Sequence, residues 1–411
     1  MSTDTTTGPG RPTEIPYYPM ERSAGCPFDP PPELRDLQAR TPLTKVRLWD
    51  GSTPWLVTRY AEQRALLADP RISADTTRPG YPFATAGIRE RRKIAQTFIS
   101  MDDPGHARLR RMVTAPFTVR RIEALRPAVQ RIVDRLIDDM LAGPRPVDLV
   151  QAFALPAPSL VICELLGVPY ADHDFFQSCG KVLVNRDTSP RDQERAQNSL
   201  TDYLERLVED KQAHPGDDLL SRLAVGQVAT GALSRREAAL MSTLLLVAGH
   251  ETTANMIALG TLALLRDPVQ LGELRDGDPA LIAGAVEELL RYLTIVHTGR
   301  RRVAVADIEI GGQVIRAGDG VILASEIGNR DTEVFDHPDR LDGHRDAHGH
   351  MAFGFGVHQC LGQNLARMEL QVAYGTLYRR IPDLRLAVDA AQVRFKHDGL
   401  IYGVYELPVT W

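Results

Sequence analysis

The segment from Ala238 to Leu265 constrains this chain most. Ser234-Arg235-Arg236-Glu237 ahead of it fits a capping box, with Ser234 as N-cap and Glu237 at the third helical position. The helical pattern then runs to Arg266, where Asp267-Pro268 ends it. From Arg235 that is about 48 Å of helix at ~1.5 Å per residue. A helix so apolar on most faces must cross a protein interior, so the rest of the fold has to be built around it. Ser242, His250, Glu251, Thr252, Thr253 and Asn255 interrupt it, which argues against a bilayer span.

The interruption Ala248-Gly249-His250-Glu251-Thr252-Thr253 has two readings. One is a helix kink, with Thr252 or Thr253 bonded back to a carbonyl one turn earlier. The other is a polar notch opened by Ala248 and Gly249, where a ligand approaches the backbone and Glu251 and Thr252 move protons in an apolar site. The helix alone leaves both open.

Elsewhere the pattern is mostly helical from Glu62 to Arg275, and again from Leu361 to Tyr378. Lys45–Trp49 and Trp55–Thr58 read as strands joined at Asp50-Gly51. Short strands follow over 303–325 and near Ile401–Val409. The Pro-, Gly- and Thr-rich stretch 71–100 reads as a long loop. A loose N-terminal arm is expected over residues 1–22, and one mainly α domain with small β-sheets over 23–411. The net charge of −5 in 411 residues excludes a globally basic nucleic-acid binder. Cys26, Cys163, Cys179 and Cys360 are too few for a disulfide framework in so long a chain. Met1–Arg22 has no export pattern. The expectation is a soluble, cytoplasmic protein without a membrane or nucleic-acid partner.

The segment Phe353-Gly354-Phe355-Gly356-Val357-His358-Gln359-Cys360-Leu361-Gly362 is the most informative. It sets one cysteine in a glycine-punctuated loop just before a helix, where backbone N–H groups and the helix dipole favour a thiolate. A lone cysteine is more commonly a small buried apolar residue. A nucleophile is also conceivable, but no second catalytic motif accompanies it.

Here the residues resemble a known family. Phe353, Gly356, Cys360 and Gly362 match the haem-ligand signature of the cytochrome P450 family. Glu288-Leu289-Leu290-Arg291 resembles its Glu-x-x-Arg helix, residues 248–253 its oxygen-activating helix, and Phe335–Arg340 the meander before the cysteine loop. Order and spacing are those of the bacterial, actinomycete branch, whose members hydroxylate macrolides, other natural products and foreign compounds. The fold implied is a triangular helical bundle around a buried haem.

The resemblance implies haem b with Cys360 as its iron ligand, shielded by Phe353, with Gly356 letting the backbone pass close to the porphyrin and Ala248 on the distal side. His106, Arg110, Arg302 and His358 would meet the propionates. By the same resemblance Asp103-Pro104 would start the helix carrying His106 and Arg110. Glu251 and Thr252 would handle protons. Glu288, Arg291 and Arg340 would form a structural ion-pair cluster. Substrate contacts are expected from Leu244, Ala248, Ile295, Val296 and Ile401, and from the 71–100 and 170–195 regions. The implied reaction inserts one oxygen atom of O2 into a C–H bond of a hydrophobic small molecule. One haem domain leaves no chain for a flavin or iron–sulfur module, so a separate ferredoxin and reductase would supply electrons from NAD(P)H. Arg108, Arg110, Arg111, Arg120 and Arg121 form a stretch without acids that could steer an acidic ferredoxin or merely face solvent. A monomer is expected.

Three alternatives stand beside this. Leu43–Tyr60 and Leu407-Pro408-Val409 also resemble fungal nitric-oxide-reducing members, but those lack the acid–threonine pair. Peroxide-driven relatives carry Arg-Pro there instead. A haem carrier or sensor would not need Glu251-Thr252 at all. His337, His344, His348 and His350 could suggest a second metal, but a solvated loop accounts for them, and no metal beyond haem iron is assigned.

Overall fold

The computed structural model describes residues 14–23, 25–91 and 96–411. The central helix spans Arg235–Leu265 and starts with the expected capping box. Ser234 Oγ accepts the Glu237 N–H at 3.1 Å, and the Glu237 carboxylate accepts the Ser234 N–H at 2.8 Å. The helix packs against Pro190–Ala213, Pro156–Leu166 and Gln363–Arg380, and the last of these packs in turn on Val119–Ala142. Val119–Ala142 shows why: Ile122, Val129, Val133, Ile137 and Met140 recur at helical spacing and are its buried residues. These helices share one apolar core running from Phe98 to Val409.

A five-stranded sheet lies beside the helices. It comprises Leu43–Lys45, Trp55–Val57, Gly320–Leu323, Arg300–Ala304 and Ile72–Ser73, in that order. The hairpin turns where Gly51 adopts a φ of 81°. Its first strand starts earlier and ends sooner than expected, because beyond Lys45 the chain pairs elsewhere. Arg47 bridges Tyr17 and donates its N–H to Pro16. That contact corrects the expectation of a loose arm over 1–22. Tyr18 is buried and its hydroxyl donates to Glu326 at 2.9 Å, while the Arg22 guanidinium lies over Tyr402 at 4.3 Å. The part of that arm before Glu14 lies outside the described residues.

The strand expected from Val303 begins at Arg300. Its register, Arg300↔Leu323 through Val303↔Gly320, sends Arg300 and Arg302 to one face and Arg301 to the other. The 71–100 stretch is not a plain loop. It holds the strand Ile72–Ser73, a helix Ala86–Arg91 and a helical turn Phe98–Ser100. Pro408–Thr410 closes a small sheet with Val147–Asp148 and Arg385–Leu386. Among the described residues no helix is long and apolar enough to cross a membrane.

Candidate active site

The central helix and the cysteine loop face each other across a cavity of about 300 Å³. Leu244, Ala248, Gly249, Thr252 and Thr253 line one side; Phe353 and His358–Gly362 line the other. Ile295 and Val296 also line it.

Cys360 opens into this cavity. Its N–H donates to the Phe353 carbonyl at 2.9 Å, which closes the loop on itself. Burial pushes its thiol up; the Gly362 N–H and the charges of Arg300, Arg110 and Arg367 pull it back. Phe353 lies under the Arg367 guanidinium at 4.6 Å. Gly356 has a φ of 74°, and a Cβ there would strike the Leu67 carbonyl oxygen, so the fold itself also requires glycine at this position.

Cations crowd one side. Arg110, Arg300 and His358 line the cavity. His106 touches His358, ring centroids 4.2 Å apart, and the charge of Arg302 bears on His358 as well. Burial first, then Arg302 and His106, push His358 down to about 4. Arg110 donates to the Gln359 carbonyl at 2.7 Å, and Arg302 to the Arg301 carbonyl at 2.7 Å. His106 is buried with Nδ1 3.0 Å from Asp103, while its Nε2 has no partner among the described residues. The helix carrying it starts at Gly105, later than expected, though Asp103 still accepts the Ala107 N–H at 3.0 Å. An orphaned imidazole nitrogen among arginines suits carboxylates, and a thiol on the facing loop suits iron. These residues therefore fit haem.

Sequence reasoning missed Arg300. It donates to Ser325 Oγ at 2.5 Å and to the Ala352 carbonyl at 2.6 Å, and burial, with the charge of Arg302 second, lowers it to about 10. The signal was the strand alternation that puts it on the face of Arg302.

Thr252 Oγ1 donates to the Ala248 carbonyl at 2.7 Å, the back-bond of the first reading, and the residue also lines the cavity. Glu251 is buried and lies off the cavity lining. Consecutive helical residues point about 100° apart, and here Thr252 faces the cavity while Glu251 does not. Gly249 lines the cavity too, and a Cβ there would meet Ile162 at 2.9 Å, so its smallness also serves helix packing.

Of the expected substrate contacts, Leu244, Ala248, Ile295 and Val296 line the cavity and Ile401 does not. Ile401 packs half-buried on the core, and its neighbour Leu400 lines a second cavity of about 370 Å³. Tyr81, Phe83 and Ile88 from the 71–100 stretch and Leu183 and Val184 from the 170–195 region also line that second cavity. Leu244 and Ile99 belong to both. Phe98, from the expected 71–100 stretch, lines the first cavity; Phe117 and Met256 line it too and were not anticipated, since core and site apolar residues look alike in sequence.

Glu288 and Arg291 pair at 2.7 Å, wholly buried. Arg340 is a correction: its side chain is exposed and only its carbonyl approaches Arg291, at 3.4 Å. Arg345 is the third member, 3.2 Å from Glu288. Of the basic stretch, Arg108 approaches Glu237 at 3.8 Å, Arg110 turns inward, and Arg111, Arg120 and Arg121 are exposed. His344 pairs with Glu273, His348 with Asp346 and His350 with Glu287, so the three do not converge.

A mainly helical fold with a cavity between a cysteine loop and the central helix, and cations gathered beside it, is the arrangement of a haem-thiolate enzyme. The chain belongs to the cytochrome P450 family. That family's sequence profile matches residues 280–381. Over its full length the chain is 56% identical to cytochrome P450 GfsF of Streptomyces halstedii, all of which it covers. The GfsF crystal structure superimposes with a TM-score of 0.91 over 97% of this chain and 100% of that one. The chain is 44% identical to the 20-oxo-5-O-mycaminosyltylactone 23-monooxygenase of Streptomyces fradiae, covering 96% of this chain and 92% of the relative. MycCI of Micromonospora griseorubida, a methyl hydroxylase solved with mycinamicin VIII, gives a TM-score of 0.90 at 41% identity, over 97% of this chain and all of that one. The protein is a haem b monooxygenase, an oxidoreductase.

Proposed function

We propose that the chain hydroxylates or epoxidises a hydrophobic secondary metabolite of macrolide size, or a foreign compound of similar shape. It would act as a single haem domain and a monomer in the cytoplasm, with electrons from a separate ferredoxin and reductase. The observation that carries this is the pair of apolar cavities that share Leu244 and Ile99 in their linings, one of them lined by Cys360. The names of the macrolide-acting relatives point the same way.

Bound haem b supplies the oxygen and electron chemistry. The chain's own residues do the rest. Cys360 holds the iron, its charge tempered by the Gly362 N–H. His106, Arg110, Arg302 and His358, joined by Arg300, neutralise the propionates. Ala248, Ile295 and Val296 press the substrate into place and exclude water. The Thr252 hydroxyl, its hydrogen held by the Ala248 carbonyl, turns its oxygen to the cavity to accept and orient a proton, and Glu251 behind it supplies that proton. Glu288, Arg291 and Arg345 fix the segment that leads to the cysteine loop. The exposed Arg111, Arg120 and Arg121 offer an acidic ferredoxin a landing face.

The test is spectroscopic. The reduced, haem-loaded protein under carbon monoxide must show the red-shifted Soret band of a thiolate-ligated haem, and Cys360→Ser must lose it. Macrolides, terpenoids and aromatic drugs are then screened for a low-to-high spin shift. A protein without that band, or with a band indifferent to Cys360→Ser, ends this reading.

A further inference from the structure

His250 has no part in the reading above. It sits beside Glu251 with 1% of its surface exposed, and it lines neither cavity. Its Nδ1 is 3.8 Å from Glu251 Oε1, and its Nε2 is buried with no partner among the described residues. A buried imidazole nitrogen left unpaired is costly, so a plain packing residue would serve stability better. The helix His173–Val184 leaves both side chains room through Gly180, where a Cβ would come 3.3 Å from Glu251 Oε1 and 3.7 Å from His250 Nδ1.

The charged groups around His250 are few. Glu251 faces it from its own helix. Lys396 faces it from the C-terminal segment, with Nζ held by Asn255 Oδ1 at 3.0 Å. Lys181, from the helix that carries Gly180, bears on Lys396. Phe176 meets the ring edge-on at 6.3 Å. Burial holds His250 below its ordinary range, with Glu251 opposing and Lys396 reinforcing that shift. The neutral ring has one N–H and one lone pair, so it can release a proton at one nitrogen and take one at the other.

We propose that His250 is a positioning residue that recharges Glu251 with protons, acting on the cavity only through that carboxylate. The inference rests on the proton role proposed for Glu251. When Glu251 has passed its proton toward Thr252, the His250 Nδ1–H gives its proton to the carboxylate and Nε2 takes one from water. One proton leaves the ring, one enters, and no electrons move. Exchange with water, a proton off Nε2 and one onto Nδ1, restores the starting tautomer. The 3.8 Å gap is closed by rotation of the Glu251 side chain or by one bridging water.

The experiment uses the haem-loaded protein with spinach ferredoxin and ferredoxin reductase, without added substrate. It reads hydrogen peroxide formed per NADPH consumed across a pH series. Carbon monoxide spectra verify that His250→Gln, His250→Phe and Glu251→Gln are folded and haem-loaded. Starved of protons, the reaction should release more of its oxygen as peroxide. Both His250 variants are expected to raise the peroxide share about threefold or more, a small part of the ~10²–10⁴ that proton transfer contributes to catalysis. They should also flatten its pH dependence, a change that lost packing alone would not produce. If Glu251→Gln raises the peroxide share and both His250 variants match the wild type, the inference about His250 is overturned and the role of Glu251 stands. If Glu251→Gln also matches the wild type, the role of Glu251 is overturned and the inference goes with it.

Discussion

Arg291 grips both oxygens of Glu288, at 2.7 and 2.8 Å, with neither side chain exposed. Its remaining nitrogen donates to the carbonyls of Asn329 and Pro338, both at 2.9 Å. The pair thereby ties its helix to the segment that leads into the cysteine loop. Removing one partner strands a buried charge, which costs about 3–5 kcal/mol. Arg291→Ala and Glu288→Ala are expected to lower the denaturation midpoint by that much and to reduce haem incorporation. Arg345→Ala should cost less, because Glu288 keeps Arg291, and Arg340→Ala should stay within ~0.5 kcal/mol. A urea titration of the four variants decides. Equal losses for Arg340→Ala and Arg345→Ala would refute the assignment of Arg345 as third member.

Two glycines flank Cys360 and should respond differently to the same change. Gly356 has a φ of 74° and the Leu67 carbonyl where a Cβ would go; a Cβ on Gly362 would meet nothing within 4 Å. Gly356→Ala therefore combines left-handed strain of about 1–2 kcal/mol with a clash against backbone that cannot step aside. It should yield protein depleted in haem, read as Soret absorbance per protein. Gly362→Ala should load haem like the wild type. Full haem content in Gly356→Ala would show that the Leu67 contact does not constrain the loop.

Glu287 accepts from Arg367 at 2.6 Å and from His350 at 3.1 Å. Burial alone would raise its pKa, but these bonds outweigh burial and bring it to about 2. His350 is itself held down by burial, so it donates as a neutral imidazole and Arg367 supplies the compensating charge. A depressed carboxylate stabilises the fold above its unfolded pKa of about 4.3. That stability is lost as pH falls from there through the folded value. Acid unfolding should accordingly steepen below about pH 4.3, and Glu287→Gln should be less stable at neutral pH with a flatter acid limb. An unchanged acid limb in Glu287→Gln would contradict this account.

What the sequence made legible follows from which residues act locally. The capping box at Ser234 and Glu237 and the hairpin at Gly51 depend on neighbours a few positions away, and both formed as expected. Cys360, Thr252 and Leu244 came from the family resemblance carried by the cysteine-loop and central-helix motifs, and all three line one cavity. Failures came where distant segments decide. Arg340 and Arg345 are near neighbours in sequence, and only the path of the meander selects which reaches Glu288. The packing of Tyr18 on Glu326 rests on a partner 308 residues away. Arg300 escaped notice because three successive arginines do not read as a strand until Leu323 and Val321 are placed beside them.

Leu244 borders both cavities, so its volume should control what reaches Cys360. Leu244→Trp would fill the junction, and Leu244→Ala would merge the two spaces at the expense of some packing. Leu244→Trp is expected to keep the carbon monoxide spectrum, because the cysteine loop is untouched. It should still admit a small iron-binding azole such as imidazole, and it should lose at least about tenfold in apparent affinity for macrolide-sized ligands, a loss of ~1.4 kcal/mol. Leu244→Ala should weaken the same ligands by less, since lost contact area costs about 25 cal/mol per Å² while overlap is excluded outright. Optical titration with one macrolide and with imidazole separates the cases. If Leu244→Trp binds the macrolide as the wild type does, the two cavities do not act in series and large ligands enter by another route.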